Sequence, residues 1–197
     1  NVIERNFELV RFGLGFPFSK DALLTKGNFL FSKKIYKTNL LSNSKKNVLL
    51  IPGASHKTKC YPVAKFAEIV NLINANFLII WGTKDEEVLA KKITKLAPTS
   101  KICDKLSLDS LISLISQVDL VIGPDTGPTH IAWASNVPSI SLFGPTPGMR
   151  NSLCTDINHI IESDSKVNPL KINKKDFSIR NIKVDDIVKM TNSILNQ

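Results

Sequence analysis

Residues 119–134 read Asp119-Leu120-Val121-Ile122-Gly123-Pro124-Asp125-Thr126-Gly127-Pro128-Thr129-His130-Ile131-Ala132-Trp133-Ala134. The apolar run at 120–122 suits a buried strand, the Gly/Pro/Asp/Thr segment suits a tight turn, and the remainder sets small and apolar residues on one side of a helix. A strand, loop and helix joined this closely leave the first helical N–H groups unpaired, with the positive end of the helix dipole behind them. An anion is stabilised at such a point. Thr126, Thr129 and His130 are three and four apart, so hydroxyls and imidazole project from one mouth of the helix. An N-cap at Asp125 or Thr126, with His130 satisfied and half-buried, explains one polar residue. It does not explain Asp125, Thr126, Thr129 and His130 together in one turn with two glycines; a diphosphate is the first candidate ligand.

The same grammar repeats outward from this stretch. Apolar runs at 48–51, 77–81 and 140–143 lead into Pro52-Gly53, Gly82 and Gly144, with helical periods at 63–73, 86–96, 108–115 and 126–134 between the runs. Near-continuous apolar strands alternating with helices predict an α/β fold, a Rossmann-like parallel sheet with helices on both faces. Further strands are expected at 101–103 and 159–161, and an amphipathic helix at 184–195. Ligands of such sheets bind beyond the carboxyl ends of the strands, which is where these glycine turns fall. Ahead of the repeat, Val2, Ile3, Phe7, Val10 and Leu14 give residues 1–16 a helical period that ends near Gly13 or Gly15. Residues 17–46 show no sustained period and read as a linker with one edge strand at 28–31. The expected division is 1–46, a helix and linker, and 47–197, the compact domain. The opening segment does not read as a complete domain, so an upstream part is expected.

A chain of 197 residues with 43% apolar content can bury an ordinary core. Its charge of +9 comes mainly from lysine: of 26 basic residues only Arg5, Arg11, Arg150 and Arg180 are arginine. The arginine and aromatic clusters of nucleic-acid recognition are missing, so no nucleic-acid partner is expected; a basic surface suits an anionic membrane face or an acidic substrate. No apolar run is long enough to cross a bilayer, and the first residues lack a signal-peptide pattern, which makes a cytoplasmic location the expectation. Cys60, Cys103 and Cys154 are odd in number and far apart, which supports neither a disulfide framework nor a zinc site.

The turn at 52–62 offers Gly53 for close backbone approach, the Ser55 and Thr58 hydroxyls, and Lys57 and Lys59 as charges, just before Pro62 opens a helix. Lys57 reads as solvated and Lys59 as functional. Neither a Walker motif nor Gly-x-Gly-x-x-Gly is present, so neither a P-loop NTPase nor a dinucleotide dehydrogenase is supported. At 81–87, Asp85, Glu86 and Glu87 stand at a helix start, either as dipole partners or as a carboxylate that accepts ribose hydroxyls. The Gly/Pro-rich turn at 143–150 is expected to wall the site opposite Asp125.

Gly123-Pro-Asp-Thr-Gly-Pro-Thr-His130 followed by Ser141-Leu-Phe-Gly-Pro-Thr146 resembles the donor-site signature of the bacterial lipopolysaccharide heptosyltransferases, glycosyltransferase family nine. The threonine form of the loop is closer to heptosyltransferase I than to the second enzyme. Ser55-x-x-x-Lys59-x-Tyr61-Pro62 is similar to the family's Thr-x-x-x-Lys-x-Trp-Pro turn, and Trp81-Gly82 followed by Glu86 to its Trp-Gly-x-x-x-Glu. Ser55 and Tyr61 depart from the usual threonine and tryptophan.

The resemblance implies the C-terminal, donor-binding half of a two-domain GT-B glycosyltransferase. The implied donor is ADP-heptose, and the implied acceptor is a Kdo residue of lipid A at the membrane surface. Transfer would invert the anomeric centre and need no metal or other cofactor. Carried over by motif, Ser55 and Lys59 hold the diphosphate, Glu86 the ribose, Thr126 and the Gly127 backbone the phosphate nearest the sugar, Asp125 the heptose hydroxyls, and His130 lines the same pocket. The resemblance puts the general base in the N-terminal domain, so this chain is expected to bind donor without catalysing transfer. It is expected to be a monomer, peripheral on the inner face of the inner membrane. The competing readings are another GT-B glycosyltransferase or epimerase using UDP, and a non-catalytic nucleotide-binding module; whichever the nucleotide, its base is placed by position alone near 105–108.

Overall fold

The computed structural model describes residues 1–15, 17 and 19–196; Phe16, Phe18 and Gln197, which close or fall within the expected segments 1–16, 17–46 and 47–197, lie outside the described residues. Six strands, β1 (Asn47–Leu50), β2 (Asn76–Ile79), β3 (Lys101–Ile102), β4 (Leu120–Pro124), β5 (Ser139–Phe143) and β6 (Asn158–Glu162), form one parallel sheet in the order β3-β2-β1-β4-β5-β6. The connecting helices are α3 (Val63–Leu72), α4 (Lys84–Leu96), α5 (Leu108–Ile115), α6 (Gly127–Ala134) and the short α7 (Gly148–Asn151), with α8 (Val184–Leu195) last. Two more, α1 (Val2–Leu14) and α2 (Lys20–Leu24), precede the sheet.

Strand alternation explains the two-faced core. Val48, Leu50, Phe77, Ile79, Leu120 and Ile122 point to one side and pack with α3, α4 and α8. Leu49, Ile51, Leu78, Ile80 and Val121 point to the other and pack with α5 and α6. Period-2 strands buried on both faces must be apolar at every position, which is why they read as continuous runs. Fully burying a side chain such as Phe66 or Phe77 contributes about 1.5–3 kcal/mol.

The residues ahead of the sheet differ in part from the expected linker. Tyr36, Leu40 and Leu41 cover the α5 and α6 face of the core. Residues 28–31 form no strand. The Phe29 N–H donates to the Ala134 carbonyl at 3.3 Å, and the Leu30 carbonyl accepts from Ser135 Oγ at 3.0 Å. Their backbone groups serve the end of α6 instead of a sheet edge. No residue of α1 is buried; its start is tied down where Asn1 Nδ2 donates to the Met149 and Ser152 carbonyls at 2.7 and 2.8 Å.

Candidate functional site

β1 and β4 are neighbours in the sheet, but their onward connections leave in opposite directions, to β2 and to β5. A crevice opens between two such strands at their carboxyl ends. The turn after β1 brings Lys59 to it, and the turn after β4 brings Asp125.

Asp125 is the hub. Its Oδ2 accepts from Lys59 Nζ at 2.7 Å, from Thr146 Oγ1 at 3.1 Å and from Asn151 Nδ2 at 3.4 Å, and its Oδ1 lies 3.1 Å from His130 Nε2. The carboxylate and the lysine are both largely shielded from solvent, with 8% and 12% of their side-chain surface exposed. Burial alone would push the Asp125 carboxyl up. The hydrogen bonds and charges of His130 and Lys59 outweigh it and hold the carboxyl well below the usual carboxylate range. A carboxylate so stabilised as an anion, with its lone pairs engaged, is a weak general base.

Thr126 is the N-cap of α6, and Gly127 opens the helix in free space, with no heavy atom within 4 Å of a Cβ built on it. An anion can therefore reach this backbone. The first turn of α6 carries no acidic residue. Thr129, expected at the mouth, turns inward: its buried hydroxyl lies 2.7 Å from the Thr126 carbonyl and 3.0 Å from that of Pro124, and accepts the Thr126 N–H at 3.3 Å. Its hydrogen-bonding capacity is used within the turn.

Glu86 stands on α4 in a reciprocal cap: its Oε2 accepts from the Gly82 and Thr83 N–H groups at 2.8 and 3.0 Å, while Thr83 Oγ1 accepts from the Glu86 N–H at 3.3 Å. A Cβ at position 53 would sit 2.3 Å from Glu86 Oε1, so only glycine lets the β1 turn come this close. Glu86 borders two cavities. One of 240 Å³ is walled by Ile51, Trp81, Leu106, Leu111 and Pro128 and is reached by Thr126. The other, of 930 Å³, is shared with Ser55, Lys57, Tyr61 and Arg180.

The structure thus brings Lys59, Asp125 and His130 into contact and lets Glu86 and Thr126 face one cavity. Ser55 and Lys57 are exposed on the rim of the larger one. The turn expected opposite Asp125 in fact bonds to it through Thr146. Asn151 was not foreseen, since no spacing links α7 to Asp125. Among the described residues, no group of three His, Cys, Asp or Glu side chains is placed to hold a metal ion.

Fold and site together define a doubly wound α/β domain with an anion-receptive crevice at its switch point. Residues 1–177 match glycosyltransferase family 9 (heptosyltransferase), and the chain belongs to that family. It is 40% identical over 164 residues to lipopolysaccharide heptosyltransferase 1 of Campylobacter coli, a match over 78% of this chain and 48% of that protein. It is 26% identical to the Escherichia coli protein of the same name, over 76% of this chain and 46% of that one. The chain spans about half the length of these curated relatives or less. Among solved structures, the E. coli heptosyltransferase WaaC with ADP shares the fold at a TM-score of 0.73 and 17% identity, over 98% of this chain and 56% of that one.

Proposed function

We propose that this chain is the donor-binding half of a lipopolysaccharide heptosyltransferase I, which moves L-glycero-D-manno-heptose from ADP-heptose to Kdo of the lipid A inner core. The observation that carries the reading is the Lys59–Asp125–His130 cluster beside the open N-terminus of α6. The relatives' names support heptose as the group moved and lipopolysaccharide as its destination, the WaaC structure with ADP supports an adenine nucleotide, and the Kdo acceptor rests on the motif resemblance alone. Residues 47–197 form the donor domain, and residues 1–46 connect it to an acceptor-binding half. The enzyme works as a monomer on the cytoplasmic side of the membrane, without a metal or other cofactor.

The adenine and ribose lie toward the 240 Å³ cavity, with Leu106 against the base and Glu86 accepting the ribose hydroxyls. The diphosphate takes the place of Asp125 as the partner of Lys59, and it receives Ser55, Thr126 and the Gly127 backbone. Asp125, released from Lys59, turns to the heptose hydroxyls beside His130. As the acceptor oxygen bonds to the anomeric carbon, the bond to the β-phosphate breaks; Lys59 and the α6 terminus stabilise the departing diphosphate. The proton of the attacking hydroxyl goes to a carboxylate of the acceptor half, because Asp125 is too weak a base and lies on the donor side.

A transfer assay tests this assignment of roles. The chain mixed with ADP-heptose and Kdo-bearing lipid A binds donor and releases no ADP until the acceptor half is added. Heptose transfer by the chain alone would contradict it.

A further inference from the structure

The segment between β6 and the short 3₁₀ turn at Ser178–Asn181 takes no part in the proposed donor site, yet it carries 4 of the 26 basic residues close together. Residues 165–175 read Ser-Lys-Val-Asn-Pro-Leu-Lys-Ile-Asn-Lys-Lys, with Lys166, Lys171, Lys174 and Lys175 and no acidic residue. All four lysines are exposed. The loop is pinned at its base: Ser163 Oγ donates to Ser178 Oγ at 2.9 Å, Ser165 Oγ to Asp176 Oδ2 at 2.6 Å, and the Ser178 N–H to Asp176 Oδ1 at 2.8 Å. Two asparagines order its interior, Asn168 accepting from the Leu170 N–H at 2.8 Å and Asn173 from the Lys175 N–H at 3.0 Å.

Two features distinguish the loop from an ordinary solvated lysine run. Leu170, at its tip, is 87% exposed, so an apolar side chain stands clear of the protein among the cations. Lys171, Lys174 and Lys175 also surround a cavity of 510 Å³ with Asn168, Ile172 and Asn173, large enough for a phosphate-bearing headgroup. The acids nearest in sequence are Asp164 and Asp176, both at the base, and Asp176 is already bonded to Ser165 and Ser178.

The direction in which the loop projects follows from the topology. It leaves the carboxyl end of β6, and every strand of the sheet is parallel, so it rises from the edge that carries the donor crevice. Its far end is anchored there too: a Cβ at Gly144, just beyond β5, would lie 2.6 Å from the Ile179 backbone nitrogen.

We propose that the 165–175 loop docks the protein on an anionic bilayer, with Leu170 entering the interface and Lys171, Lys174 and Lys175 around a lipid phosphate. Each lysine near such a surface adds attraction, and a buried leucine adds apolar burial, so neither acts alone. The transfer reading enters only in explaining why a bilayer lies on this edge; the docking itself needs no donor.

Co-sedimentation tests it, using the intact chain with vesicles of phosphatidylglycerol and phosphatidylcholine or of phosphatidylcholine alone. Binding is expected to the anionic vesicles only, and to weaken with salt. The triple variant Lys171→Gln, Lys174→Gln, Lys175→Gln should bind on the order of a hundredfold less, and Leu170→Ser roughly tenfold less. A control variant of equal charge, Lys33→Gln, Lys34→Gln, Lys37→Gln, carries its changes beside the exposed Phe31 and Ile35 and should keep most of the binding. Equal binding to neutral vesicles, full binding by the loop variant, a greater loss in the control, or binding to single-stranded RNA in place of vesicles would each overturn the proposal. ADP affinity measured on the same variants separates the two readings: it stays unchanged if the loop is a docking surface alone, and a failure of ADP binding with vesicle binding intact counts against the donor site only.

Discussion

Two helices of similar chemistry start at the same sheet edge, and only one is open to an anion. At α4, Thr83 and Glu86 cap each other, and Asp85, Glu86 and Glu87 all fall in the first turn. Its terminus is answered by its own carboxylates and repels a further anion. At α6, the first turn holds no acid, Gly127 leaves the backbone accessible, and the nearest carboxylate, Asp125, is already matched by Lys59 and His130. The ion pairs differ in the same way. Glu87 sits between Lys84 at 2.8 Å and Lys91 at 2.7 Å, whose hydrogen bonds lower its carboxyl to about 2, but those lysines are 86% and 65% exposed. The Lys59–Asp125 pair is shielded, and side chains from three separated segments, the turns after β1, β4 and β5, meet at it. Burial and convergence, more than the count of charges, separate a site from a solvated face.

The largest effect that would break this comparison is Asp125→Ala. It leaves Lys59 shielded and unpaired, and should lower unfolding free energy by about 3 kcal/mol in urea denaturation; Glu87→Ala should change it little. A loss at Glu87 as large as at Asp125 would erase the distinction. Next is Lys59→Ala, which removes a charge-assisted bond to the diphosphate and should weaken ADP binding by roughly ten- to a hundredfold in calorimetry. Thr126→Ala should weaken it less, within about tenfold, with the fold intact. Thr83→Ala gives the mirror result: a loss of about 1 kcal/mol of stability from the α4 cap, with ADP affinity unchanged because the Gly82 and Thr83 N–H groups that hold the Glu86 carboxylate remain.

The pH dependence sharpens the same contrast. The Asp125 carboxyl is held below its unfolded value, so its stabilisation is fully present above about pH 4 and is lost as pH falls from there through the folded value. Asp125→Asn should remove that part of the acid slope in denaturation curves taken below pH 4. An unchanged slope would mean that the carboxylate gains nothing from its neighbours.

Most of the architecture was legible because the strands are buried on both faces, and their apolar runs stop at glycines where the chain must turn. The six strands expected from residue 47 onward are present, within a residue or two of their expected ends. The edge strand expected at 28–31 is absent, since its backbone bonds go to the end of α6 and Phe29 meets Trp133 of that helix edge-on. α7 was too short to show a period, and with it Asn151 was hidden. In the candidate site, Lys59, Asp125 and His130 were each suggested by local spacing, but their contact depends on β1 pairing with β4, Val48 against Leu120, far apart in sequence. Thr129 illustrates the opposite failure: its spacing points to the mouth of the helix, and its hydroxyl is drawn inward by two carbonyls. The 165–175 loop has no period at all, so the pinned base, the exposure of Leu170 and the lysine-lined cavity, which set it apart, show only in the structure.

The central claim is that the crevice between β1 and β4 receives an adenine nucleoside diphosphate at the α6 terminus. Calorimetric titration with ADP, UDP and GDP tests it most directly, repeated on Lys59→Ala. The account predicts that ADP binds at least about tenfold more tightly than UDP or GDP, a difference of about 1.4 kcal/mol, and that Lys59→Ala loses most of that affinity. Equal affinity for the three nucleotides, or ADP binding indifferent to Lys59, would contradict it.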